Sequence, residues 1–162
     1  GASRYNFTTE VIAMDDKTLR ERGRKLIEQP EHETPMIPLK VWEDFPLRFT
    51  VEYPVKDFEA EVGFWAEAFG LRFLSLNDEY AICTDEAYSF TFSFQAAFEA
   101  VDLSHIKLQW FTDQLDDAIA ALEQREVPHH VYFRSSSQRY IRTKSPAGVI
   151  VEVWSGMEDH CP

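Results

Sequence analysis

From Leu47 to Tyr53 the chain alternates apolar and polar residues with a period of two, which predicts a strand; the period then lengthens to that of a helix. Phe58, Val62, Trp65 and Phe69 fall on one helical face, and Gly70 supplies the residue that ends it. Strand-like runs follow at 71–76, 80–84 and 89–95, separated by the polar turns Asn77-Asp78-Glu79 and Asp85-Glu86. After a connector, 96–104, the order recurs. A strand at 105–111 leads to a helix with Leu115, Ile119 and Leu122 on one face, then to runs at 127–133, 138–143 and 149–154. One constant shift sets Phe58 on Leu115, Val62 on Ile119, Trp65 on Leu122 and Gln95 on Glu152. Each half alone is too small for a comfortable core, so the pattern predicts one α+β domain at 47–155, built from two βαβββ modules at 47–95 and 105–155.

Strand parity then divides the residues between two faces. Leu47, Phe49, Val51 and Tyr53 are expected to meet the helices, leaving Arg48, Thr50 and Glu52 on the other side. Phe90, Phe92 and Phe94 oppose Thr91, Ser93 and Gln95. Ile106, Leu108 and Trp110 oppose His105, Lys107 and Gln109, and Val149, Val151 and Val153 oppose Ile150, Glu152 and Trp154. Tyr140 and Arg142 join the polar set. If the sheets of the two modules curl around this face, it becomes the floor of a cup. The candidate ligand-binding residues are therefore Arg48, Thr50, Gln95, Lys107, Gln109, Tyr140, Arg142, Glu152 and Trp154. The plainer alternative is a sheet whose polar side only meets water. Enclosed without a partner, Glu152 would be costly, so it either pairs with Lys107 or Arg142 or serves as a ligand or general base.

Residues 1–46 read differently. Asp15 or Asp16 caps a helix with Leu19, Leu26 and Ile27 on one narrow face, and Pro30 stops it. Pro35, Pro38 and Pro46 punctuate an extended arm whose Met36, Ile37 and Trp42 need a surface to cover, which suggests a clasp in a homodimer. Residues 156–162 form a short tail. Of the 28 acidic and 16 basic residues, 9 and 7 lie in 1–46, so the acidity belongs to the second part.

A net charge of −12 argues against a general nucleic-acid or anionic-membrane binder, since both call for a Lys/Arg footprint. The apolar runs are far shorter than the roughly 20 residues of a membrane span, and the first residues show no leader pattern, so a cytoplasmic protein is expected. Cys83 in a strand and Cys161 near the end suit neither a disulfide framework nor a CxxC knuckle, and both thiols are expected to be reduced.

The leads into the two helices, Val55-Lys56-Asp57-Phe58 and Asp113-Gln114-Leu115-Asp116-Asp117-Ala118, and the closing Ser145-Pro-Ala-Gly-Val-Ile-Val-Glu-Val153 resemble the vicinal-oxygen-chelate superfamily, which includes glyoxalases, bleomycin-resistance proteins and extradiol dioxygenases. The resemblance covers 47 to about 155, with Ser145 where that superfamily usually has Asp. It implies the duplicated cup, a small-molecule ligand, and in the metal-dependent members an ion held by the first and last strands of the modules. Carried over, the last-strand ligands fall on Glu152 and Gln95. The first-strand positions fall on Thr50 and Lys107, which are poor donors; sliding by two gives Arg48 and His105, of which only His105 could ligate. The resemblance therefore allows a divalent metal on His105, Gln95 and Glu152, while the weak first strand argues for no cofactor.

No GxGxxG, GxxxxGK[ST], GxSxG or HExxH stands in the chain. His129 and His130 are adjacent in a strand and point to opposite faces, so at most one serves the cup. Three functions follow. The first is a glyoxalase/bleomycin-resistance-like binder of a small molecule without metal catalysis, where the acidic surface would draw a cation although the floor itself is basic. The second is a metal-dependent glyoxalase- or dioxygenase-type enzyme using Glu152 with Gln95 and His105. The third is a protein-interaction module docking through residues 30–46.

Overall fold

The computed structural model describes residues 15–39 and 49–156. The chain forms two compact units, Gly1–Lys40 and Val41–Pro162. In the first, α1 (Asp16–Glu28) starts where Asp15 accepts a hydrogen bond from the Thr18 backbone N–H, and it ends just before Pro30. It buries no residue: Leu19, Leu26 and Ile27 are exposed, as are Met36 and Ile37 on the arm. Trp42 and Pro46 lie outside the described residues.

The second unit holds two four-stranded sheets of identical topology. The first contains β1 (Glu52–Val55), β2 (Arg72–Leu76), β3 (Tyr80–Thr84) and β4 (Thr91–Ala96), in the order β1-β4-β3-β2. The second contains β5 (Lys107–Thr112), β6 (His130–Phe133), β7 (Arg139–Lys144) and β8 (Ile150–Ser155), in the order β5-β8-β7-β6. In each, the first strand runs parallel to the last and the other pairs are antiparallel. The crossovers are α2 (Phe58–Gly63), which widens into a π-helical turn over Phe64–Ala68, and α3 (Leu115–Gln124). Gly70, at φ +66°, lets the Leu71 N–H reach back to the Trp65 carbonyl and closes that helix. The expected α+β duplication is present.

Two expectations need correction. The first strand begins at Glu52, five residues later than the 47–53 alternation suggests, and Phe49 and Val51 are exposed. Leu47 and Arg48 lie outside the described residues. Tyr53 and Val55 supply the core face instead, with Tyr53 stacked 5.6 Å from Phe94. Ahead of them the chain only latches onto β4, Ser93 N–H donating to the Val51 carbonyl and the Thr91 hydroxyl to that of Phe49. Pro54 is tolerated because β1 is an edge strand.

The constant shift between modules also breaks down. Glu152 stands opposite Gln109 on the parallel strand, and the residue in that place in the first module, opposite Glu52, is Ser93. Gln95 lies two residues further along, opposite Pro54. The β6–β7 loop, 134–138, is longer than the β2–β3 loop, 77–79, and that extra length moves the last strand's register. The first-strand positions beside the last-strand pair are accordingly Glu52 and Gln109, not Thr50 and Lys107.

The main core joins the modules: Tyr53, Phe58, Trp65, Phe92 and Phe94 pack in one cluster with Val149, Val151 and Trp110. Inside it is a residue the helical pattern left unremarked. Glu61 is fully buried and accepts hydrogen bonds from the Tyr53 hydroxyl at 2.6 Å, Trp65 Nε1 at 3.2 Å and the Ala147 backbone N–H at 2.9 Å. It sits between Phe58 and Trp65 on the apolar face and ties α2 to the turn before β8, so a buried carboxyl group gains the donors it needs. No helix among the described residues is long and apolar enough to cross a membrane.

Candidate functional site

The side of the second sheet turned away from α3 is organised in cross-strand rows, because aligned residues on neighbouring strands point the same way. One row is aromatic: Tyr132, Tyr140, Trp154 and Phe111. Tyr132 and Tyr140 stack at 5.2 Å, Tyr140 and Trp154 at 4.1 Å with 14° between planes, and Phe111 lies 6.5 Å from Trp154. Arg134, in the β6–β7 loop, holds its guanidinium 5.7 Å from the Trp154 ring centre.

The next row, two residues along each strand, is polar: His130, Arg142, Glu152 and Gln109. Glu152 has no exposed surface. Arg142 donates to one oxygen from Nε at 2.8 Å, with Nη2 in ion-pair contact at 2.6 Å; Gln109 Nε2 at 2.8 Å and Trp154 Nε1 at 3.1 Å donate to the other, with the Lys107 ammonium at 3.9 Å. Burial alone would raise the Glu152 carboxyl's pKa, but the donors from Gln109, Arg142 and Trp154 and the Arg142 charge outweigh it, and it lies below its usual 4.5. Arg142, held by the same bonds, is raised. Its Cζ also lies 5.5 Å from the Tyr132 ring centre and 5.8 Å from that of Tyr140. The third row sets Lys107 and Lys144 on either side of Ile150.

Lys107, Gln109, Tyr140, Arg142, Glu152 and Trp154 are thus brought together on one face. The other candidates are not. Thr50 precedes β1 and its hydroxyl reaches only the Val51 carbonyl; Gln95 is exposed on the first sheet; His105 is exposed in the turn before β5; Arg48 lies outside the described residues. Strand parity could have added Phe111 and Tyr132, two residues beyond Gln109 and His130. Arg134 arrives through a loop, for which the sequence has no periodic signal. Of the two adjacent histidines, His130 joins the face, its ring 6.3 Å from that of Tyr132, and His129 turns away to the Val127 carbonyl. A cavity of about 740 Å³ opens at the β6 edge and shares His130, Tyr132, Arg142 and Lys144 with the face, although most of its wall, including Phe64, Val127 and Pro146, lies beyond it. The rows of the sheet, rather than that edge cavity, hold the convergent polar groups.

A divalent metal does not fit this donor set. Glu152 has both oxygens engaged by cationic or N–H donors, Gln109 turns its amide nitrogen toward Glu152, and Lys107 adds a second positive charge. Among the described residues, no three of His, Cys, Asp and Glu converge in a way that could hold an ion. Cys83 is fully buried and its thiol is pushed well above the usual range by burial and then by the nearby Glu61, which removes it as a nucleophile.

The paired βαβββ modules give this chain the fold of the vicinal-oxygen-chelate superfamily. No family profile matches the sequence, and no curated protein matches it either. Among solved structures, it is similar to a lactoylglutathione lyase from Agrobacterium tumefaciens at 19% identity and a TM-score of 0.55, covering 66% of this chain and 91% of that one. TnmS3, an antibiotic binding protein from Streptomyces sp. CB03234, is 18% identical with a TM-score of 0.53, over 66% and 93% of the two chains. A glyoxalase/bleomycin resistance protein/dioxygenase from Nocardioides is 14% identical with a TM-score of 0.58, over 84% and 94%. At these identities the likeness is one of fold.

Proposed function

We propose that this chain is a glyoxalase/bleomycin-resistance-like protein that binds a small molecule on the face of its second sheet turned away from α3, without metal catalysis. The stacked row Tyr132, Tyr140, Trp154, Phe111 carries the reading, because rings packed face to face present a line of apolar edges, against which a ligand can make edge-to-face contacts, beside a row of fixed polar groups. Phe111 is 53% and Tyr132 40% exposed, so much of the platform is open to a ligand. Glu152 acts as an anchor: its depressed carboxyl and fully engaged oxygens make it a poor general base, and they hold Arg142, Gln109 and Trp154 in place. That an antibiotic binding protein shares the fold supports this reading. Screening planar and non-planar compounds by thermal shift, with Trp fluorescence of the wild type and of Trp154→Phe, tests the proposal. A saturable signal that disappears in Trp154→Phe supports it; turnover that requires added metal and is lost in Glu152→Gln would overturn it.

The same reading places the protein in the cytoplasm as a homodimer, with Cys83 a reduced, buried thiol. The exposed Leu19, Ile27, Met36 and Ile37 favour a clasp by the first unit. Light scattering of the full chain and of a chain lacking residues 1–46 tests this: a dimer that becomes a monomer on deletion supports it, and a monomer in both rejects it.

A further inference from the structure

We infer that the ligand of this face is a planar aromatic anion, an inference that rests on the face being the binding site. Among the strand residues of the face, Glu152 is the one carboxylate, and Arg142 neutralises it. That leaves Lys107 and Lys144 as surplus positive charges among the same strand residues, with Arg134 added from the β6–β7 loop, in a chain whose net charge is −12.

The excess is placed to be used. Lys107 is 42% exposed along its side chain, and its 3.9 Å approach to Glu152 is too long for a hydrogen bond, so its N–H donors are free for a ligand. Arg142 hydrogen-bonds Glu152 through Nε, with Nη2 in ion-pair contact, which leaves Nη1 without a partner among the described residues. Successive rows lie about 7 Å apart, since two residues along a strand advance the chain by that distance. A planar ring laid across the edges of Tyr140 and Trp154 therefore carries a substituent toward Arg142 and then toward the two lysines. A carboxylate there meets charge-assisted donors, while an ammonium group meets like charges. Exposed charges farther away than the Debye length of roughly 8 Å at physiological salt are largely screened, so the cations on the face weigh most in the sign of the ligand.

Calorimetric titration of the full chain with matched probes tests the inference: 2-naphthoate, 2-naphthamide, 2-naphthylmethylammonium and cyclohexanecarboxylate. The expected order places 2-naphthoate about ten-fold tighter than the amide, with the ammonium probe weakest. Replacing both lysines, Lys107→Gln with Lys144→Gln, should narrow the gap between acid and amide to about two-fold, with the fold checked by circular dichroism. If the amide or the ammonium probe binds as tightly as 2-naphthoate, and binding still requires Trp154, the charge assignment is overturned while the binding site stands. If cyclohexanecarboxylate equals 2-naphthoate, the aromatic assignment is overturned. If no probe binds at millimolar concentration, the inference and the proposed site both fail.

Discussion

Arg142 and Glu152 face each other across β7 and β8, and the guanidinium holds one oxygen of the buried carboxylate through two nitrogens, at 2.8 and 2.6 Å. Removing one member of such a pair leaves the other charge uncompensated, which is worse than removing both. Arg142→Gln is therefore expected to destabilise the protein by about 3 kcal/mol, the low end for a buried pair because the Arg142 side chain is 35% exposed. The double variant with Glu152→Gln should recover a substantial part of that loss. Urea unfolding of both single variants and the double variant checks this; purely additive losses would show that the pair is not coupled.

The lowered Glu152 carboxyl sets the direction of a pH effect. Its folded pKa lies below its unfolded value, so its contribution to stability is fully present above about pH 4.5 and is lost as the pH falls through the folded value. The stability difference between wild type and Glu152→Gln should thus be constant from pH 8 to 5 and shrink below that range. Melting curves of both proteins across the range measure it, and a difference that grows on acidification would contradict the account.

Glu61 fastens α2 to the second module, so its loss should be felt across the whole unit. Glu61→Ala strips partners from the Tyr53 hydroxyl, Trp65 Nε1 and Ala147 N–H inside the core, with an expected loss of about 3 kcal/mol. Denaturant unfolding followed by Trp emission reads it; a loss under about 1 kcal/mol would mean that water replaces the carboxyl without penalty.

Two glycines should respond with opposite signs. Gly148, at φ +94°, closes the turn in which its N–H donates to the Ser145 carbonyl, and Gly148→Ala is expected to destabilise by about 1–2 kcal/mol through backbone strain alone, since a Cβ there meets no atom within 4 Å. Gly63 has helical backbone angles and equally open space, so Gly63→Ala should stabilise by roughly 0.5–1 kcal/mol. Thermal unfolding of the two variants side by side provides the check.

Tyr140 is the middle of the aromatic row and makes no hydrogen bond to Glu152, so it separates stacking from the polar anchor. Tyr140→Ala should weaken binding of 2-naphthoate about ten-fold or more. An unchanged affinity in titration would move the ligand away from this row.

Much of the architecture was legible because it depends on period and parity. The clean alternation of Phe90, Phe92 and Phe94 with polar residues places β4 and its core face correctly, and Leu115, Ile119 and Leu122 place α3. The same logic misplaced β1: Phe49 and Val51 have the strand pattern, but among the described residues no element covers them. Glu61 was readable in principle, three residues after Phe58 and four before Trp65, yet periodicity treats a charged residue on an apolar stripe as an interruption rather than as a buried acceptor.

Alternation along each strand, a local property of the backbone, determined from sequence which residues of 105–155 share a face, and with them Lys107, Gln109, Tyr140, Arg142, Glu152 and Trp154. Register between strands is not local. It depends on loop length and on which backbone groups pair, so only the tertiary structure could set Ser93 rather than Gln95 in the place of Glu152, or bring Arg134 over Trp154 from the longer β6–β7 loop. The charge sign of the site followed the same division. A net charge of −12 is a sum over the chain, whereas a ligand meets only the few side chains that the sheet gathers within reach, and there the cations prevail.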